Sequence, residues 1–330
     1  MTSKQHPAFV DRADPEIVPV LDFVPGTDLG IGIPEARARS IEALDGLRSI
    51  LPVVPGVTSR DVMIAGEGTD PEVMVRVYEP VGGHDGSALL YIHGGGMVVM
   101  RVTDTDFHCE QIVADVGCMV VSVEYRLAPE HPHPAPMRDC YAALRWIHGE
   151  ASSLGLDPSR IGVGGSSAGG GLSAGLAIEA RDRAEFPLCF QWLLYPMLDD
   201  RNETPSSHEI TEPRVWNRSN NVIAWDAYLG DIDRSAVPIT AAPARAGVDD
   251  LRDLPPAYID VGEVDAFRDE DIAYAAALLQ AGVPTELHVT PGAFHASEVY
   301  NPAAGSSTRI AAYRVDALRR GLAAATTTTI

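Results

Sequence analysis

Two serines stand side by side in RIGVGGSSAGGG (160–171). Glycine this dense costs backbone entropy in any regular element, so it calls for a geometric reason. If RIGVGG is a strand and the stretch after it a helix, the turn between them is very tight. Gly165-Ser166-Ser167-Ala168-Gly169 then reads as G-x-S-x-G with Ser167 at its centre. In such an elbow the central serine takes a strained backbone conformation that pushes its hydroxyl out at the top of a sheet. Small residues two places before and after let strand and helix approach. Ser166 points away and reads as a packing residue. The competing reading is a phosphate loop, but no Gly-Lys-Ser/Thr follows. The one G-x-G-x-x-A match, Gly169-Gly171-Ala174, falls inside the helix and after the fifth strand instead of the first.

A lone G-x-S-x-G arises often by chance and needs partners. In YIHGGGMVV (91–99) a strand runs into His93-Gly94-Gly95-Gly96, whose bare backbone N–H groups can face a developing oxyanion. The amide of Ala168, next to the elbow serine, adds another donor. Alone, this piece also reads as a glycine turn without chemistry. A base is available in PGAFHASE, where His295 follows the eighth strand candidate. An acid is available in DVGEVDAFRDED, where Asp265 follows the seventh and Asp269 comes about one helical turn later. The order Ser167, Asp265, His295 is that of one serine-hydrolase fold and differs from the two other triad orders. The chemistry these residues could do is acyl transfer through a serine nucleophile. His131 and His133 lie among prolines with no carboxylate or cysteine set to complete a metal site, and none is expected.

The elements that must position these residues are legible as apolar, β-branched runs between turn signals. Eight strand candidates appear: 61–66, 73–79, 87–93, 118–125, 160–165, 188–196, 257–262 and 285–291. Helical stretches fit 104–117, 137–155, 167–183, 268–282 and 306–325. Strand alternating with helix predicts an α/β fold, a mostly parallel eight-stranded sheet with helices on both faces. The first two or three strands lack helices between them and are expected to form an antiparallel edge. Residues 1–55, with a helix near Pro34–Ile50, and 197–250, with an amphipathic stretch near Asn220–Leu229, break the alternation. Both are expected to cover the C-terminal edge of the sheet, where open α/β sheets bind ligands. The chain thus divides into an N-terminal cap segment (1–55), a first part of the core (56–196), a cap insertion (197–250) and a second part of the core (251–330). The tail TTTTI reads as frayed.

The 330 residues carry 25 Lys and Arg against 46 Asp and Glu, a formal charge of −21. Such a surface repels phosphate backbones and anionic lipid heads, which argues against nucleic acid as a partner. The four cysteines, Cys109, Cys118, Cys140 and Cys189, show no C-x-x-C spacing and read as reduced, mostly buried thiols. No run reaches the ~18 apolar residues of a membrane span and no signal-peptide pattern opens the chain, so the expected location is the cytoplasm.

Six stretches carry a family resemblance: HGGG (93–96), EYRLAPEHPHPAP (124–136), GSSAGG (165–170), LLYPML (193–198), GEVDAFRDE (262–270) and FHAS (294–297). From about Val57 to its end, and in its N-terminal segment, the sequence resembles the hormone-sensitive-lipase-like (family IV) bacterial carboxylesterases of the α/β-hydrolase superfamily. It is nearest to those acting on small acetyl or similar short esters. The resemblance implies Ser167 as nucleophile, His295 as base and then acid, and Asp265 as the residue orienting it. The amides of Gly95, Gly96 and Ala168 would form the oxyanion hole. His93, Glu124, Asp139 and the YRLAPEHP stretch would support the glycine loop. No cofactor or metal is implied, a small-molecule ester is the partner, and a homodimer is expected by analogy alone. Departures occur at Ser166, usually Asp or Thr, and at Met97, usually aromatic. In the acid motif, usually Asp-Pro-Leu-Arg-Asp-Glu-Gly, Ala266, Phe267 and Asp271 replace three positions. Rival readings are another acyl hydrolase or transferase (amidase, thioesterase, peptidase) on the same triad, or a small-molecule receptor without catalysis.

Overall fold

The structure is a computed structural model and describes residues 9–23 and 26–323. Its centre is a sheet of β1 (Val57–Ile64), β2 (Val73–Pro80), β3 (Ala88–Ile92), β4 (Met119–Glu124), β5 (Ile161–Ser166), β6 (Gln191–Leu194), β7 (Ala257–Gly262) and β8 (Thr285–Thr290). The spatial order is β1-β2-β4-β3-β5-β6-β7-β8. All eight predicted strands are present. β1 and β2 pair antiparallel and β2 meets β4 antiparallel, whereas β3 is already parallel to both β4 and β5. The antiparallel edge is therefore two strands wide.

Covering elements are α1 (Ile33–Arg48), α2 (Asp106–Val116), α3 (Ala135–Gly149), α4 (Ala168–Arg183), α5 (Arg218–Leu229), α6 (Arg268–Gln280) and α7 (Gly305–Gly321). Every residue of β3 is buried, as an apolar run covered on both faces requires. After β3 the chain crosses to β4 on one side, then returns to place β5 on the other. The crevice beyond the ends of β3 and β5 is thus the switch point where such sheets build their sites. HGGG leaves β3 there, and the two-serine turn leaves β5.

The glycines of α4 serve close packing. A Cβ on Gly169 would run into the Ile92 carbonyl oxygen, and one on Gly171 into that of Met197. Small boundary differences from the sequence reading have local causes. The helix expected over 137–155 breaks at Glu150 and resumes for one turn (Ala151–Leu154), ended by Gly155 at positive φ. The helix expected from 104 opens with a 3-10 turn, Val102–Thr105, before α2. The last helix ends at Gly321, and TTTTI lies outside the described residues.

The N-terminal residues run back across the far end of the sheet. Asp14 donates its amide to the Gly292 carbonyl at 2.8 Å, in the loop after β8. Its carboxylate takes the Ser306 hydroxyl at 2.5 Å, and Glu16 takes the Gly305 amide at 2.8 Å, at the start of α7. Ile17 and Leu21, just after these residues, are fully buried in the core.

Candidate active site

Ser167 holds the elbow conformation, φ +58° and ψ −122°, in the left-handed half of backbone space that a side chain rarely occupies. Its amide donates to the Leu194 carbonyl at 2.8 Å, and its carbonyl accepts the Met197 amide at 2.9 Å. The strained turn is thereby stapled to the end of β6. Ser166 instead places its hydroxyl 3.2 Å from that of Tyr91 on β3.

The His295 imidazole joins two other predicted residues. Its Nε2 lies 3.0 Å from Ser167 Oγ, and its Nδ1 lies 2.8 Å from Asp265 Oδ2. An ionised carboxylate only accepts, so the proton sits on Nδ1 and leaves Nε2 free to accept from the serine hydroxyl. Asp265 is completely buried, and its Oδ1 accepts the Phe267 amide at 3.0 Å. The neighbouring acids are engaged elsewhere. Asp269 takes the Ser206 amide and the Arg268 guanidinium, both at 2.7 Å. Glu270 takes the amides of Leu198 and Asp199.

Beside the serine, a Cβ on Gly94 would lie 3.3 Å from Ser167 Cβ, so the HGGG loop abuts Ser167. Gly95 and Gly96 have φ of +98° and +60°, which glycine tolerates at no steric cost. Among the described residues, the amides of Gly95, Gly96 and Ala168 donate no turn or loop hydrogen bond to a backbone carbonyl. Ala168 is the first residue of α4, where an amide has no partner within its own helix.

The loop is braced from below. The Tyr125 hydroxyl donates to the carbonyls of His93 and Gly94 at 3.0 and 3.2 Å, and its ring stacks on His93 at 4.2 Å. Burial pushes the His93 imidazole down to about 4, so it is neutral. Glu124 accepts the Val102 amide, and Asp139 grips Arg126 through amide and guanidinium. From α1, Arg37 donates to the carbonyls of Val98 and Ala128 and pairs with Glu130.

Sequence reasoning missed residues that touch the site from far along the chain. Trp216 stands over the glycine loop, where a Cβ on Gly96 would meet its Cη2 at 2.5 Å, and its ring lies 6.4 Å from His295. Its indole N–H donates to Asn221 on α5. Tyr195 and Phe267 meet His295 edge-on at 4.7 and 5.1 Å. Tyr195 lay within LLYPML and could have been singled out there. Trp216 and Arg37 carry no local signal.

Among the described residues, no three His, Cys, Asp or Glu side chains are grouped to hold a metal ion, and no helix is long and apolar enough to cross a membrane. His133 packs against α5, its Nδ1 3.1 Å from the Tyr228 hydroxyl. All four cysteines are unpaired, and burial raises each thiol, Cys118 to about 12 and Cys189 to about 11.

Residues 89–298 match the family model described as alpha/beta hydrolase fold. The solved structure named Bacterial Heroin Esterase superposes with a TM-score of 0.90 at 43% identity, covering 96% of this chain and 99% of that one. Esterase LipI of Mycobacterium tuberculosis is 37% identical over 87% of both chains. Carboxylesterase NlhH of the same organism is 38% identical over 86% of this chain and 88% of its own. With fold, strand order and relatives in agreement, the chain belongs to the α/β-hydrolase fold family, in its hormone-sensitive-lipase-like branch of carboxylesterases.

Proposed function

We propose that the protein is a serine carboxylesterase that hydrolyses short esters, acetyl to roughly hexanoyl, through an acyl-enzyme. The observation that carries this reading is the unbroken hydrogen-bond chain Asp265–His295–Ser167, ending on a serine held at positive φ beside the HGGG loop. Ser167 Oγ attacks the ester carbonyl as His295 Nε2 takes its proton. The carbonyl oxygen becomes an oxyanion facing the amides of Gly95, Gly96 and Ala168. Collapse breaks the bond to the alcohol, which leaves with the proton from Nε2. Water, deprotonated by the same nitrogen, then attacks the acyl-enzyme and frees the acid and Ser167. Asp265 holds the imidazole in the tautomer this requires. No metal or organic cofactor enters.

The preference for short chains rests on closure from above. Residues 1–55 and 197–250 act together as the cap, a reading supported by their cross-links. Asn220 on α5 accepts the Leu29 amide at 2.9 Å and donates to the Thr27 carbonyl, and Arg214 pairs with Asp22 at 2.7 Å. Four unpaired thiols suit the cytoplasm as the place of action. A homodimer is the assembly suggested by family analogy.

The test is an acyl-length series of nitrophenyl esters on the wild type, Ser167→Ala and Ser166→Ala. Turnover should be greatest on short chains and fall beyond about six to eight carbons, as a bounded apolar pocket dictates. Ser167→Ala should lose ~10⁴–10⁶-fold in turnover, whereas Ser166→Ala should keep most of it. An active Ser167→Ala enzyme would overturn the mechanism. Faster turnover of nitroanilides or thioesters would move the chemistry to an amidase or thioesterase.

A further inference from the structure

Beneath the catalytic histidine lies a buried ion cluster that the ester chemistry does not itself use. Arg314, from α7, is buried between two carboxylates. Its Nε and Nη2 donate to Asp260 on β7 at 2.5 and 3.1 Å, and its Nη1 donates to Glu298 at 2.6 Å. Tyr258 donates its hydroxyl to Asp260 at 3.1 Å. Burying three charges is costly, and well-packed apolar side chains of similar volume often do as well for stability. The cluster is therefore poorly explained as a source of stability alone.

Its members sit where geometry at the site is decided. Asp260 lies on β7, the strand that leads to Asp265. Glu298 lies three residues beyond His295. Between them stands Tyr195, fixed in three ways by the same cluster. Its amide donates to the Asp260 carbonyl at 2.7 Å, its hydroxyl donates to Glu298 at 3.1 Å, and the Arg314 guanidinium lies 5.2 Å from its ring centroid. Its φ of +35° puts it, like Ser167, in a backbone conformation that surroundings must enforce. The cavity left among these side chains is about 10 Å³, room for about one water and none for a swinging ring.

We propose that Tyr195 is a positioning residue for His295, held by the Asp260–Arg314–Glu298 cluster so that its ring keeps the imidazole between Ser167 and Asp265. The two hydrogen bonds along the imidazole fix its direction in the ring plane. The rings of Tyr195 and Phe267, each T-shaped to it, fix its tilt. The cluster also ties the strand of the acid to the loop of the base. That matters because Ala296, just after His295, is itself at φ +57°.

This inference rests on the triad reading, and its test separates the two. Tyr195→Phe removes only the hydroxyl, Glu298→Gln only the charge, and the double variant removes both. Each is compared with the wild type for kcat and KM on nitrophenyl acetate, well below its melting temperature. Both single variants should lose about tenfold in kcat, short of the hundredfold that an ångström of misplacement can cost, with KM little changed. The double variant should be no slower than the worse single one, because both changes cut one link. Unchanged kcat in Tyr195→Phe, or additive losses in the double variant, would overturn the proposal. So would a kcat loss recovered in full by adding stabilising co-solvent, the mark of a purely structural role. A wild type that hydrolyses the ester no faster than Ser167→Ala would instead overturn the triad reading.

Discussion

Asp271 is a carboxyl in the wrong solvent. It is completely buried in the first turn of α6, and neither oxygen has a hydrogen-bond partner among the described residues. Burial, with Glu270, Asp265 and Asp260 close by, raises it well above the usual carboxylate range. A carboxyl raised in the folded state favours folding below its unfolded value near ~3.9. That contribution is lost as pH climbs through the folded value. Asp271→Ala should therefore raise the melting temperature at pH 7 by a few degrees, an unsatisfied buried group costing ~1–3 kcal/mol, with the gain shrinking toward pH 4. Calorimetry at both pH values decides it, and an unchanged or lower melting temperature at pH 7 would sink it. At this scale the three residues of the proposed triad were the legible ones. Ser167, Asp265 and His295 each sit in a short motif after a strand, and the structure places them in hydrogen-bond contact. Tyr195, Arg314 and Trp216 were not singled out, because their meaning lies in contacts made across the fold and not in neighbouring residues.

Among the elements, α1 is tied to the glycine loop by one side chain. Arg37 Nε and Nη2 reach the Val98 and Ala128 carbonyls at 2.8 and 2.9 Å, and Ala128 in turn donates its amide to Met97. On the mechanism proposed above, this grip of α1 on the loop sets how firmly the amides of Gly95 and Gly96 are aimed. Arg37→Ala should cut kcat on nitrophenyl acetate several-fold, up to about the ~10²-fold that losing one oxyanion donor costs, with a smaller change in KM. Arg37→Lys should restore little, since a single ammonium cannot span both carbonyls. Full kcat in Arg37→Ala would separate α1 from the proposed oxyanion hole. The strands themselves could be read in advance because β-branched runs between turns need no distant partner. The place of β3 in the parallel sheet could not, since pairing direction is set by crossovers. The seating of α1 on the loop and of α5 on Leu29 was equally hidden, because those links join residues far apart in sequence.

For the whole molecule, the core is squeezed from the acid side by its histidines. Burial pushes His93 and His108 each down to about 4. Between there and the unfolded value near ~6.5 the unfolded chain binds more protons, so stability falls as pH drops through that window. Each such group adds up to about 1.4 kcal/mol per pH unit. His108, whose Nε2 has no hydrogen-bond partner among the described residues, stacks on Trp192 and tilts against Tyr91. His108→Phe should keep the stacking and melt progressively higher than the wild type as pH is lowered from 7 to about 4.5. A difference that stays constant with pH would refute the assignment. The strap at Asp14 and Glu16 sets an order in time. Asp14 is bound to Ser306, 292 positions later, and translation at ~5–20 residues per second puts roughly a quarter-minute to a minute between their syntheses. Through that interval the strap lacks its anchors at Gly305 and Ser306. His295 follows Ser167 by 128 positions, so a growing chain holds the proposed nucleophile and glycine loop for ~6–26 s, at ~5–20 residues per second, before the proposed base is made.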